Sequence, residues 1–376
     1  MRAWLASLAI LLVGCGQGAA IAARSPASVT PSAIASPTSP LEAPSPSASN
    51  ASPGPATASP TPSSVAVPVS PGGRSLAAAA YDQSRSAVVI FGGLGKPSAT
   101  SANYLGDTWT STSAGWHQMS TTGPSPRFAA SMAYDVARGV VVLFGGLTES
   151  DDSDETWTWD GRSWSQQHPA VSPPGRQDAS MAYDMAQQVI VLFGGQTNPT
   201  RVAGAPQLND TWVWDGVSWQ QRHPTSGPSA RVFAPMAYDG ARKRIVLFGG
   251  SSGQGQTYDG GFGDTWTWDG QAWTQFMPVT SPPPRSVAAM AFDETRGVTV
   301  LFGGVSGKQN TVLSDTWTWD GVNWKQQQPT ASPPPRVGHV MAYDSARRVV
   351  LLQGGEFDAP LGDAWLWDGR SWAPAA

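Results

Sequence analysis

The chain has 376 residues, a formal net charge of -4 and only 13% charged residues, a balance that offers no basic face for nucleic acid. Forty-one Gly and 33 Pro demand many turns, 18 Trp is far above ordinary usage, and the length suffices for a sizeable core. A single cysteine excludes an intrachain disulfide.

At the N-terminus Met1-Arg2 precedes an apolar run, Ala3–Val13, and then Gly14-Cys15. A basic start, a short apolar core and a small residue before a cleavage point predict a secretory signal over residues 1–14, too short to span a bilayer as a helix. Leu12-Val13-Gly14-Cys15 resembles a bacterial lipobox. That resemblance implies lipidation at Cys15 and an extracytoplasmic lipoprotein anchored to a membrane of the cell envelope; several acyl chains together hold firmly. The alternative is an ordinary signal peptide with an incidental cysteine, and the position of the sole cysteine at the cleavage point favours the lipoprotein. Residues 15–72 are almost entirely Ala, Ser, Pro, Thr and Gly. Such composition cannot offset the entropy of ordering, so a disordered tether is expected, with a reach on the order of 170 Å if extended as polyproline II.

From residue 73 to residue 376 a period appears. Units open on Arg74, Arg127, Arg176, Arg231, Arg285 and Arg336, 49 to 55 residues apart. Each begins with an apolar strand ending in an aromatic and Asp, as in Met132-Ala133-Tyr134-Asp135. An Arg follows three residues later, replaced by Gln187 in the third unit, and a β-branched run closes on Gly-Gly. After a variable connection comes a Trp-rich heptapeptide: Asp264–Gly270 and Asp315–Gly321 are both DTWTWDG. A short strand opening on Trp ends the unit. Runs of this length punctuated by Gly, Pro and Asp predict four strands per unit. The period, the recurrent arginine, the Gly-Gly and the late Trp resemble the kelch repeat. Six such units imply an all-β fold, a six-bladed β-propeller with four antiparallel strands per blade. The first unit departs from the pattern, with Ser111-Thr112-Ser113 in place of Trp-Asp-Gly.

Side chains alternate along a strand, so Trp266 and Trp268 share a face, and Trp273 returns to it across a two- or four-residue Asp-Gly hairpin. That face should meet the next blade, which explains the repetition as architecture; sugar stacking is the rival explanation for exposed Trp faces. The unit-opening arginines, the variable connections and the acids Asp107, Glu155, Asp210, Asp264, Asp315 and Asp363 all fall at one end of the propeller. Arg–carboxylate pairing within each blade is one expectation. In kelch domains arginines at this position can contact acidic peptides near the channel mouth, and on that resemblance Arg74, Arg127, Arg176, Arg231, Arg285 and Arg336 are candidate ligand-binding residues.

The connections after Gly-Gly run from 7 residues in the sixth unit to 14 in the third, with Leu94–Gly106, Gln196–Asn209 and Ser251–Gly263 the longest. Insertions gathered on one face mark a binding surface. Asp178 and His339 interrupt the small residues of the innermost strand and are candidates for acid–base chemistry, against a water-wetted channel wall. Glu149–Asp154 is an acidic run without the spacing of a cation loop. His117, His168 and His223 scatter over different units, against a zinc site. No metal and no cofactor is expected. Copper chemistry like that of galactose oxidase, another kelch-type propeller, is disfavoured because it needs a Tyr–Cys crosslink and the propeller has no Cys. The expected function is a monomeric, lipid-anchored module that binds a protein or glycan through the loop face without catalysis. The alternative is a cofactor-free carbohydrate-active enzyme, such as a sugar mutarotase or epimerase.

Overall fold

The computed structural model describes residues 70–97, 103–119, 122–197, 206–252, 261–307 and 309–375. The expected signal segment, Cys15, the tether and a strand-forming role for Val65–Val69 lie outside the described residues.

Each unit folds as one sheet of four antiparallel strands in chain order. The blades span Ala78–Met119, Ser131–Gln167, Ser180–Arg222, Met236–Phe276, Ala289–Gln326 and Val340–Pro374, and are numbered 1 to 6 here. Together they make the six-bladed all-β propeller that the repeat implies, with no helix among the described residues. In blade 4 the second strand, Arg244–Phe248, has Ile245, Val246, Leu247 and Phe248 at 0–1% exposure. A strand buried on both faces has no use for polar alternation, hence the continuous β-branched run. It ends at Gly249 and Gly250, with φ of 64° and 94°. A Cβ on Gly249 would stand 2.5 Å from the Arg285 carbonyl oxygen, so this close approach of two blades requires glycine.

The Asp-Gly hairpin leaves four residues between the strands, which end at Trp268 and resume at Trp273, paired directly with each other. Only the glycine takes positive φ, 99° at Gly270. Asp269 instead caps the turn: its Oδ1 accepts the N–H groups of Gln271 and Ala272 at 3.0 and 2.8 Å.

The Trp face of each blade meets the preceding blade in chain order. In blade 4, Trp268 and Trp273 are tilted together at 5.4 Å and pack on Val191, Phe193 and Val213 of blade 3. The face that receives them carries the threonines. Trp273 Nε1 donates to Thr211 Oγ1 at 2.9 Å across the seam. Trp164, Trp219, Trp324 and Trp372 repeat the bond to Thr108, Thr156, Thr265 and Thr316. At the seam where blade 6 meets blade 1 the threonine position holds Ala364. That seam keeps the tie that other seams also carry at the far end of the sheet, Tyr81 Oη accepting the Ala346 N–H at 3.1 Å, and adds a bond from Ser75 Oγ to Glu356 Oε2 at 3.1 Å. No blade is shared between the two ends of the chain: blade 1 and blade 6 each take all four strands from one contiguous segment.

Thr211→Val keeps the shape of the seam but leaves the Trp273 indole N–H buried without an acceptor. The expected loss is about 1–3 kcal/mol of stability, read from the shift in the urea unfolding midpoint.

Candidate functional site

The unit-opening arginine precedes the innermost strand and turns back into its own blade. Arg231 Nη1 donates to the Gly249 carbonyl and to Asp264 Oδ1, both at 2.7 Å, and Nη2 donates to Asp264 Oδ2 at 2.9 Å. Its Nε donates to the Ser229 carbonyl at 3.0 Å, and Phe262 lies against the guanidinium 4.2 Å away. The Trp266 indole donates to the same carboxylate oxygen at 2.7 Å. Arg74–Asp107, Arg176–Asp210, Arg285–Asp315 and Arg336–Asp363 repeat this two-pronged grip. Arg127 differs because its acid is longer: Nη2 meets Glu155 Oε2 at 2.5 Å and Nη1 turns to Ser153 Oγ at 2.9 Å.

All six arginines are 0–3% exposed, while their acids are half-buried, with side chains 18–39% exposed. A guanidinium so placed must have its donors satisfied inside the protein. The structure therefore puts the six candidate ligand-binding arginines beneath the surface and presents their carboxylates at the rim. Contact between these arginines and a ligand requires the carboxylates to let go. Burial alone would raise Asp107, Glu155, Asp264, Asp315 and Asp363, but the paired guanidinium and the indole N–H hold each carboxyl below its ordinary value.

Two residues beyond each arginine, the chain enters the channel mouth. Leu76, Ala129, Asp178, Phe233, Val287 and Gly338 all have φ between 52° and 61°. The N–H of each donates to the carbonyl of its counterpart in the preceding blade: Ala129 to Leu76, Asp178 to Ala129, Phe233 to Asp178, Val287 to Phe233 and Gly338 to Val287. The Leu76 N–H donates to the Gly338 carbonyl at 2.7 Å and completes a circle of six bonds. These residues and the small side chains that follow them line a central cavity of about 160 Å³.

The cavity has two polar interruptions on its wall, Asp178 from blade 3 and His339 from blade 6, three blades apart in a ring of six. Asp178 is 7% exposed; its Oδ2 accepts from Gln196 Nε2 at 3.1 Å and its Oδ1 has no partner. Burial, reinforced by the charge of Asp152, pushes its carboxyl well above the ordinary range. His339 is 5% exposed, lies edge-on to Phe302 at 5.5 Å, and makes no well-formed hydrogen bond through either ring nitrogen, the Phe302 backbone offering only a weak contact. Burial, with the Arg336 charge adding, lowers it to about 3. A neutral imidazole and a carboxyl that favours its protonated form suit an uncharged polar molecule better than an anion.

The other sequence candidates do not converge. No group of three or more metal-ligating side chains lies together among the described residues. The acidic run folds on itself, with Thr148 Oγ1 accepting from the N–H groups of Ser150 and Asp151. Of the three longest connections, residues 98–102, 198–205 and 253–260 lie outside the described residues. Sequence reasoning missed the backbone circle and the indole bond to each acid. No shared residue type at the six places signals the circle in the sequence.

Residues 160–355 match the family model of the KLHDC2/KLHL20/DRC7 Kelch-repeats domain. Among curated proteins, the chain is 32% identical over 130 residues to tRNA wybutosine-synthesizing protein 4 of Emericella nidulans, covering 32% of this chain and 12% of that protein. It is 28% identical over 161 residues to Adagio-like protein 1 of Oryza sativa subsp. japonica, covering 39% of this chain and 24% of that one. The matched region is thus a small part of either relative. Among solved structures, that of YjhT superposes with a TM-score of 0.62 at 14% identity, covering 82% of this chain and 99% of YjhT.

The depressed rim carboxyls fix the sign of an acid response. Their contribution is present above the unfolded pKa, about 4, and is lost as pH falls through the lower folded values. His339, lowered when folded, adds a loss that begins as pH falls below about 6.5, where the unfolded imidazole takes its proton. Asp178, raised when folded, acts in the opposite sense on acidification, so the His339 contribution is read as the difference between wild type and variant, and the steep fall in urea midpoint is expected below about 4. In His339→Ala the acid loss between 6.5 and 4 should be smaller than in wild type. Asp264→Ala, which strands the buried Arg231 guanidinium, should cost about 3–5 kcal/mol at neutral pH.

Proposed function

Because the chain belongs to the kelch-repeat family, we propose that its propeller is a non-catalytic binding module that takes a protein or glycan partner on the face bearing the variable connections. The observation that carries this reading is the asymmetry between the two ends. At one end the connections differ in length from blade to blade and rise from a ring stapled by six ion pairs. At the other end the hairpins are short and near-identical. A rigid rim under variable loops is the arrangement by which repeat scaffolds separate stability from recognition. The rim's half-exposed carboxylates add acceptors for the hydroxyls or basic groups of a partner.

The N-terminal sequence supports a further element of the proposal: residues 1–14 act as a lipoprotein signal, Cys15 carries the lipid, and residues 15–72 tether residues 73–376 on the extracytoplasmic side of a bacterial envelope. A module held this way meets its partners at a distance set by the tether. The full-length protein should fractionate with membranes, and Cys15→Ala should release it into the soluble fraction.

A second reading rests on Asp178 and His339. Both line the central cavity, and each has at least one polar atom without a partner. An enzyme acting on a small neutral sugar, of the mutarotase or epimerase type, would use such a pair for proton transfer without a cofactor.

The two readings separate in one experiment. The connections at Leu94–Gly106, Gln196–Asn209 and Ser251–Gly263 are cut to the length of the sixth blade's, and the protein is tested on a glycan array and against envelope extract. Binding that disappears while the urea midpoint holds supports the loop face. Undiminished binding by the trimmed protein sinks it. Sugar mutarotation followed by NMR, lost in His339→Ala and Asp178→Asn, would favour the enzyme.

A further inference from the structure

On the face opposite the variable connections, a second set of ion pairs runs around the ring. Every innermost strand ends in a buried aspartate: Asp82, Asp135, Asp184, Asp239, Asp293 and Asp344, each 0–1% exposed. In five blades its Oδ2 binds the arginine three residues on. Arg85, Arg138, Arg242 and Arg296 do so through Nη1 at 2.7–2.8 Å, and Arg347 through Nε at 2.5 Å.

Four of these arginines also reach the next blade. A Cβ placed on Gly161, Gly216, Gly321 or Gly369 would lie 1.7–1.9 Å from the arginine Nε, so the side chain is laid flat on the glycine of the neighbour's Asp-Gly turn. There it stands beside a second carboxylate, that of Asp160, Asp215, Asp320 or Asp368. Each of these seams ion-pairs one guanidinium to the aspartate of its own strand and keeps it within the field of the turn aspartate, to which it makes no ion pair.

The seam between blades 3 and 4 lacks it. Asp184 Oδ1 accepts the N–H groups of Ala186 and Gln187 at 2.9 and 3.2 Å, the second of which repeats in the other blades. Its Oδ2, the oxygen that binds arginine elsewhere, is buried without a partner. Gln187 leans over Gly270, where a Cβ would stand 2.8 Å from its Cγ, but its amide does not reach Asp184. Asp269 supplies the second carboxylate and repels the first; burial, with that repulsion adding, raises the Asp184 carboxyl. The seam keeps the acceptors and the flat glycine floor of its sisters and has lost the arginine laid between them; Arg244 of blade 4 acts on Asp269 but leaves Asp184 Oδ2 without a partner. Gln187 is exposed and free to swing out, and Met185, 49% exposed, stands two residues away to cover an alkyl stem.

We propose that this seam is a binding slot for a guanidinium group carried by a ligand, held by Asp184 Oδ2 over Gly270, with the charge of Asp269 close by. The ligand repeats with its own guanidinium the contact that arginine makes within the chain at the four sister seams. The planar group can lie flat on the glycine while its edge meets Asp184, as the sister arginines do, where a compact ammonium would leave the floor uncovered. The slot lies on the end of the propeller away from the variable loops, so it stands or falls independently of the loop-face reading.

The test is thermal unfolding of the full-length protein titrated with methylguanidinium chloride, against sodium chloride at equal ionic strength. The wild type should show a saturable rise in Tm of about 2 °C or more. Gln187→Arg places the missing group in cis; it should melt higher than wild type without ligand and give no response to methylguanidinium beyond that to salt. Asp184→Asn should also be unresponsive. A wild-type curve that tracks sodium chloride overturns the proposal, as does a Gln187→Arg protein that responds as the wild type does. The peptide amide Gly-Arg-Gly distinguishes the source. Binding tenfold or more tighter than methylguanidinium, lost in Gln187→Arg, assigns the slot to an arginine of a partner polypeptide. Equal affinity, lost in the same variant, assigns it to a small guanidinium compound.

Discussion

The rest of this propeller depends on the need to satisfy a buried guanidinium. An arginine at 0–1% exposure has five N–H bonds to place, and water takes none of them. Arg231 places them on the carbonyl two residues back, on the first glycine after the second strand, and on the acid that opens the third strand. Those acceptors come from three separate stretches of one unit, so the pair fixes the start of the blade, its bulge and its third strand at once. A charge pair this deep contributes little net stability over an apolar substitute, but breaking it is expensive. Its role is to specify geometry. The loops that leave the same three places inherit a rigid base, and their length can vary without disturbing it.

The arginine's second consequence is the backbone circle. Once its guanidinium is fixed, the residue two positions on is delivered to the channel wall with its N–H aimed at the blade before. The positive φ there strains every residue but glycine, by of order 1 kcal/mol or more. It is tolerated at Leu76, Ala129, Asp178, Phe233 and Val287 because the bond it makes closes a ring in which each blade holds the next. Ring closure therefore needs no strand shared between the chain ends. The blade 6 to blade 1 seam lacks the Trp–Thr bond of the other five, yet it carries the same circle and the same bond from Gly355 N–H to the Arg74 carbonyl.

This separates what the sequence discloses from what it hides. The period, the strand count, the paired arginines and acids, and the end at which they gather are legible because six copies repeat the residue types that cause them. Trp268 opposite Trp273 was readable from alternation alone. The circle was not, because its φ is imposed by a tertiary bond and no common residue type marks it: Leu, Ala, Asp, Phe, Val and Gly occupy the six places. The half of each ion pair that faces outward was likewise hidden. Arginine and aspartate alternate along the chain in the same way whether the cation or the anion is buried, and only the carbonyls of the Gly-Gly bulge draw the guanidinium inward. The Trp face was expected against the next blade and instead meets the preceding one, since periodicity gives a face but not which neighbour covers it.

Symmetry turns single substitutions into measurements. In a chain without repeats, Asp184 would be one more buried carboxylate and Gln187 one more surface glutamine. Here five other blades state what belongs at each place, so the loss of one arginine is seen against an internal standard, and the unpartnered oxygen it leaves is a specific geometric vacancy. The same logic applies to His339, which stands where the other blades carry Ala77, Ala130, Ala179, Ala234 and Ala288. An imidazole in place of a methyl must displace volume and desolvate two nitrogens, and the fold tolerates this at one position only, across the channel from the one acid in the circle. Architecture accounts for whatever recurs six times. The departures from it are where selection has had reason to accept a cost, and in this molecule they lie in the loops, on the channel wall and at one seam of the opposite face.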